Sequence, residues 1–352
     1  MRVLVTGGCG FIGSAVVRHL LARTAHEVTT VDKMTYAASA EAIAVARDDP
    51  RHRLVVADIA DIAAMRAVFA QTRPDAVMHL AAETHVDRSI DGPGPFIQTN
   101  VVGTLTLLEV AREHWQGLDA TARAAFRFHH ISTDEVFGAL GPTDPPFTET
   151  TRYDPRSPYA ASKAASDHLV RAWRHTYALP TLVSNTANNY GPWQFPEKLI
   201  PLTLIAALEG RPIPVYGDGS NRRDWIFVED HAAALVAVLE RGEPGATYAI
   251  GARQPRSNLD VVQAICAALD RLLPDPSGPR ARLIRFVADR PGHDFRYEID
   301  PSHAAAALAL PAMRDFETGL DETVAWYLAN RPWWEQLRAR GAGERLGLKG
   351  AA

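Results

Sequence analysis

Only two cysteines, Cys9 and Cys266, occur in 352 residues. They stand far apart without a CxxC spacing, which argues against a disulfide framework or a cysteine zinc site. The histidines form no HExxH or other ligand cluster, so no metal is expected. No apolar run approaches the roughly 18 residues that a membrane span requires. The opening MRVLVTGGCG has too few apolar residues before glycine for a signal-peptide core, so a soluble cytoplasmic protein is expected. An excess of one charge is missing too: the formal net charge is −4 with the signs intermixed. That excludes recognition of nucleic acid or an anionic membrane by bulk charge. Lysine itself is scarce, with Lys33, Lys163, Lys198 and Lys349 making up the whole set.

What is present is an ordinary globular balance, 47% hydrophobic and 22% charged residues, in a chain long enough for one large domain or two sharing a cleft. Short Val/Ile/Leu runs alternate with helical patterns. The spacing predicts strands at Arg2–Thr6, Glu27–Asp32, Arg53–Ala57, Ala76–Leu80, Phe126–Ser132 and Thr181–Asn185. Helices are predicted near Phe11–Ala22, Asp61–Gln71, Phe96–His114 and Pro158–Tyr177. That order reads as an α/β chain with a doubly wound parallel sheet. From Asn189 the Pro, Gly and aromatic content of NNYGPWQFPEKLIP and GRPIPVYGDGSNRRDW predicts structured loops and short strands. Further on, helices are expected near Asp230–Arg241 and Leu259–Leu272, with a strand near Thr247–Ile250.

In VLVTGGCGFIG, a strand, a glycine turn and a helix start follow in immediate succession. Gly8, Gly10 and Gly13 satisfy GxGxxG, and Gly7, Gly10 and Gly13 satisfy GxxGxxG. Glycine permits close backbone approach to a pyrophosphate, and the helix start at Phe11 and Ile12 turns amide N–H groups toward it. Asp32 ends the next strand, where a carboxylate accepts from ribose hydroxyls and repels a 2′-phosphate, favouring NAD over NADP. Adjacent Lys33 blunts that preference. Asp58, before Ile59, either accepts from the adenine amino group or caps a helix. The expected architecture is a Rossmann-like domain of residues 1–188, rejoined by segments at about 224–252 and 298–312. Segments 189–223, 253–297 and 313–340 would build a smaller C-terminal α+β substrate domain, and 341–352 a mobile tail.

SPYAASKAASDHLV starts with Ser157 as an N-cap and Pro158 at the first helical position. Tyr159 and Lys163 then share a helix face, near enough for the ammonium to lower the phenol pKa. Such a tyrosine takes a proton from a sugar hydroxyl as hydride leaves. Upstream, ISTDEVFG ends an apolar run on Asp134 and Glu135. Adjacent carboxyls can act as acid and base when their environments separate their pKa values.

Glycine turn and YxxxK together resemble the extended short-chain dehydrogenase/reductase superfamily, in which Lys163 would also bind the nicotinamide ribose and Thr133 would complete the triad. TGGCGFIGS, HLAAETHVDRSI, STDEVFG, NNYGP, FPEKLIP, RRDWIFVEDH and ADRPGHDFRY further resemble the nucleotide-sugar 4,6-dehydratases, in particular those that act on dTDP-glucose. The resemblance implies that Asp134 is the acid at the C6 hydroxyl and Glu135 the base at C5. It further implies that Arg223, Arg290 and His293 face the substrate and that Asn189, Glu197 and Lys198 meet the sugar, phosphates or base. His85 would lie beside the nicotinamide or at a subunit contact. A homodimer through the helices near 96–114 and 158–177 is also implied. Two rivals make different predictions. A UDP-sugar 4-epimerase would have no need of Asp134 and Glu135, and a non-catalytic NAD sensor none of Thr133, Tyr159 and Lys163.

Overall fold

The computed structural model describes residues 1–289 and 293–339. Its strands are β1 (Arg2–Thr6), β2 (Glu27–Asp32), β3 (His52–Val56), β4 (Ala76–His79), β5 (Arg127–Thr133), β6 (Thr181–Thr186), β7 (Asn188–Tyr190), β8 (Ile213–Tyr216), β9 (Arg222–Phe227), β10 (Thr247–Ile250), β11 (Pro255–Ser257), β12 (Ile284–Val287) and β13 (Arg296–Tyr297). Among the described residues, seven of them form one sheet in the order β10-β6-β5-β4-β1-β2-β3. Every pairing in it is parallel. The doubly wound expectation holds. Both faces are covered by helices, which is why β1, β4, β5 and β6 are almost wholly buried; β1 is largely apolar, whereas β5 and β6 carry buried His, Ser, Thr and Asn side chains. The chain order reverses between β1 and β4, and at that point a doubly wound sheet leaves a crevice beyond its strand ends.

Around β9 a second assembly forms: β7 and β13 pair with it in parallel and β11 antiparallel, while β8 pairs with β12. Its core is sealed by the helices Leu199–Leu208, Asn258–Leu272 and Phe316–Ala329. The first of these starts inside NNYGPWQFPEKLIP, where structured loop is expected, and runs on through a stretch for which the sequence predicts no element. LIPLTLIAAL is apolar on all sides and seven of its ten residues are buried, so no helical alternation marks it in the sequence.

The helix expected near Phe96–His114 is also not uniform. Residues Ile97–Gly103 form a wider π turn before the α-helix Thr104–Gln116. At its centre the Asn100 carbonyl accepts hydroxyls from Thr104 and Ser166, both at 2.6 Å. The Asn100 amide meanwhile clamps the Glu83 backbone, at 2.9 and 3.0 Å. Side chains thus satisfy the groups that a regular turn would pair with backbone, as a local π bulge requires.

Candidate active site

A cavity of about 310 Å³ lies over the carboxyl ends of the large sheet. Its floor is the glycine turn. Gly7 has φ +72°, and a Cβ on Gly13 would meet the Gly7 carbonyl oxygen at 2.1 Å, so neither position admits a side chain without moving backbone. Gly10 precedes the helix Phe11–Arg23 and offers no side-chain cap. The first-turn amides therefore remain available to an anion. This cradle fits a dinucleotide pyrophosphate. Asp32, at the end of β2, accepts the Cys9 and Met34 amides at 2.9 and 2.8 Å, which fixes the carboxylate on the cavity wall. Lys33 does not stand free beside it, because its ammonium pairs with Asp58 at 2.7 Å. Asp58 also accepts the Ala60 amide, whereas the cap of the helix Ile62–Thr72 is Asp61. Ile59, Phe11 and Ile12 line the same wall.

The acid pair sits where β5 ends. Thr133 caps the short 3₁₀ turn Asp134–Phe137, its hydroxyl accepting the Glu135 amide at 3.2 Å and donating to Asp134 at 3.3 Å. Asp134 is 1% exposed. Burial, then the Glu135 charge, hold its carboxyl well above the usual range, and the Arg223 guanidinium only partly opposes them. That direction favours the neutral acid over the carboxylate. Its second oxygen has no partner within the described protein. Glu135 is more accessible and also lines the cavity.

Ser157 caps the helix Pro158–Tyr177, accepting the Ala160 amide at 3.0 Å, and so aims Tyr159 and Lys163 into the same cavity. The expected lowering of the phenol pKa by Lys163 is not what the structure holds. Burial, followed by Glu135, shifts Tyr159 well above its ordinary value, against a hydrogen bond with Thr133. Lys163 is instead turned to the Ile131 carbonyl at 2.9 Å. Four-residue spacing gives a shared face, but the ammonium takes the strongest acceptor within reach, here a β5 carbonyl.

Of the substrate candidates, Asn189, Glu197 and Lys198 line the cavity. The Asn189 side-chain oxygen lies 2.8 Å from His231 Nδ1 and its amide donates to the Ala187 carbonyl at 3.0 Å. Lys198 donates to the Thr84 carbonyl at 3.1 Å. Burial raises the Glu197 pKa, opposed by Lys198 and Arg88. Three expected residues lie off this wall. His85 caps the helix Val86–Asp91 and stands 3.6 Å from Glu197. Arg223 is packed over Tyr297 at 4.2 Å and donates to the carbonyls of Arg222 and Asp294. His293 lines a separate cleft with Asp144, Arg156 and Asp294. Arg290 and the segment 341–352 fall outside the described residues.

The structure also brings in residues that motif reading passes over. Glu83 and Thr84 line the cavity just past β4, and their place after a strand end is the sequence signal for them. At the mouth the Tyr36 ring lies 4.0 Å under the Arg88 guanidinium and edge-on to Phe195, with its hydroxyl 3.3 Å from Glu197. No spacing rule links those four.

Residues 4–323 match the family model described as GDP-mannose 4,6 dehydratase. A dTDP-glucose 4,6-dehydratase of Neisseria meningitidis serogroup B is 56% identical over 350 residues, 98% of this chain and 99% of that one. The chain belongs to the dTDP-glucose 4,6-dehydratase family. Among solved structures, the family's DesIV enzyme from Streptomyces venezuelae, with NAD bound, matches at TM-score 0.87 and 42% identity over 96% of this chain and all of that one. The UDP-glucose 4-epimerase of Thermus thermophilus shares the architecture, at TM-score 0.82 over 94% of this chain and 100% of that one, but is only 28% identical. The dehydratase likeness thus runs through the sequence as well as the fold.

Proposed function

We propose that this chain is an NAD-dependent hydro-lyase that converts dTDP-glucose to dTDP-4-keto-6-deoxyglucose. The observation that carries this reading is the buried Asp134 beside Glu135, in one cavity with Thr133, Tyr159 and Lys163. When bound, NAD supplies what these side chains lack, a positively charged acceptor that takes two electrons from C4 and returns them to C6 without net redox change. Tyr159, a phenol in the chain alone, would receive the C4 hydroxyl proton as the phenolate, the form that the positive charge of bound NAD favours, with Thr133 hydrogen-bonded to its oxygen. Lys163 keeps two ammonium hydrogens beyond its bond to Ile131 for the nicotinamide ribose. The C4 ketone acidifies the C5 hydrogen, which Glu135 removes. Asp134 gives its proton to the departing C6 hydroxyl, and water leaves; as C6 takes back the hydride, the Glu135 carboxyl, its proton exchanged with solvent, protonates C5. An epimerase requires neither the Glu135 nor the Asp134 step.

Turnover of dTDP-glucose in deuterated water tests the reading directly. The expected product is a 4-keto-6-deoxy sugar carrying deuterium at C5. A C4 epimer, or unaltered sugar, would overturn it.

The pairing of Lys33 with Asp58 bears on the cofactor. A half-exposed ion pair is worth about 0–1 kcal/mol. Lys33→Ala is therefore expected to change the NAD dissociation constant by no more than about fivefold and to leave NAD preferred over NADP. Titration of both cofactors checks this, and a switch of preference would contradict the role given to Asp32.

The same reading includes a cytoplasmic homodimer. Supporting it are two buried free cysteines and the apolar side chains Ile97, Leu105 and Tyr177, exposed along the two helical segments expected to pair.

A further inference from the structure

Beside the catalytic pair lies a buried polar cluster that the proposed cycle does not use. Asp167, one turn after Lys163 on the same helix, is wholly buried. Its Oδ2 accepts the Tyr153 hydroxyl at 2.7 Å, the Ser132 hydroxyl at 2.9 Å and the Asn185 amide at 3.1 Å. Its Oδ1 lies 3.1 Å from His130 Nε2. We propose that Asp167 is a positioning residue for the reaction: with His130 as spacer, it is the fixed counter-charge that keeps the buried Lys163 side chain an ammonium. The proposal rests on the reading above in taking Lys163 as the catalytic lysine.

The hydrogens can be assigned from the geometry. Four donors converge on the carboxyl of Asp167, and a group surrounded by donors is anionic. Burial alone would raise its pKa, but His130, Lys163 and Tyr153 outweigh that and lower it. Burial, then the Lys163 charge, push His130 down to about 4, so its imidazole is neutral. A neutral ring facing a carboxylate must place its single hydrogen on Nε2. That nitrogen then has no lone pair for Lys163 Nζ, which lies 3.4 Å away. The contact is packing, and the ammonium's balance comes from the charge of Asp167 behind the ring. Lys163 is 4% exposed, and burial lowers it to about 8 with Asp167 acting in the opposite direction.

Among the described residues, no other buried charge faces Lys163 from the packed elements. His79 on β4, its ring 5.1 Å from His130, is held well below its ordinary value and is neutral. Ser132 and Asn185 on β5 and β6 are uncharged, Tyr159 on the same helix is a phenol, and Arg171 is engaged with Tyr153 at 2.9 Å. An ammonium buried without a counter-charge shifts toward the neutral amine and gives up one of the hydrogens it keeps for the nicotinamide ribose.

Lysine scarcity makes the test clean, because nitrogen-labelled lysine puts signals at only four side chains. In the NAD-loaded full chain, Asp167→Asn retains shape and an oxygen for Tyr153, Ser132 and Asn185 while removing the charge. The Lys163 titration is expected to move down by about one pH unit or more, and Tyr153→Phe to move it by less than about 0.3. Turnover should follow, with kcat at pH 8 falling about tenfold in Asp167→Asn and KM changing by no more than about twofold. An unmoved Lys163 in Asp167→Asn, or an equal shift in Tyr153→Phe, would overturn the proposal. Should Asp167→Asn not fold, wild type still decides: a Lys163 that titrates below pH 7 has no effective counter-charge. The titration needs no sugar substrate, so its failure is distinguishable from failure of the dehydratase reading.

Discussion

In Glu135→Gln, mixing with dTDP-glucose is expected to reduce the bound cofactor and stop there. The amide preserves the size of the side chain and its backbone bond to Thr133, but it cannot take a proton. C4 oxidation depends on Tyr159, Thr133 and Lys163, all intact, and should stay within about tenfold of wild type. Elimination loses its base, for which about 10²–10⁴ is the usual loss. One further effect favours the first step. The Glu135 charge is the second-largest cause of the raised Tyr159 pKa, so removing it eases phenolate formation. The reduced-cofactor absorbance should therefore rise promptly and persist, and sugar recovered from deuterated water should lack label at C5. Normal elimination, or a loss of cofactor reduction as severe as the loss of elimination, would mean that Glu135 is not the base.

The sheet, the glycine turn and the helix that carries Tyr159 and Lys163 were legible in the sequence because each depends on short-range rules, whereas Thr133 entered through the family resemblance. Short apolar runs alternating with 3.6-residue patterns mark the strands β1 to β6 and the helices between them, and a Ser-Pro start marks the helix that holds Tyr159. STDEVFG located the acid pair for the same reason, since strand end, cap and turn lie within eight residues. What stayed hidden depends on contacts between distant segments. Asp167 meets Tyr153, Ser132 and Asn185 from three separate stretches, and nothing in AASDHLV marks its carboxylate as buried. The direction of the Tyr159 shift was hidden too. Helical spacing reports which side chains share a face, whereas the sign of a pKa depends on burial and on charges from other elements. Leu199–Leu208 was missed for the opposite reason: packed on all sides, it has no polar face to generate a period.

Asp134→Asn should be inactive and more stable. Its carboxyl favours the neutral form in the folded protein because burial and Glu135 raise its pKa well above that of the unfolded chain. The sign follows from linkage. Below the unfolded value near 3.8 both states are protonated. As pH rises beyond it, the unfolded state releases a proton that the folded state retains, and stability falls until the folded pKa is passed. Asparagine has no proton to release and so abolishes that loss. The variant's melting temperature should match wild type near pH 4 and exceed it by about 2 °C or more at pH 7 and above. Its elimination rate should drop by about 10²–10⁴, as expected when a general acid is removed. The wild-type rate should decline as pH rises through the Asp134 pKa, and the residual rate of the variant should not. Thermal unfolding and turnover measured across the same pH range decide the matter. A variant that is destabilised at every pH, or one that eliminates water at the wild-type rate, would show that Asp134 does not hold the proton delivered to C6.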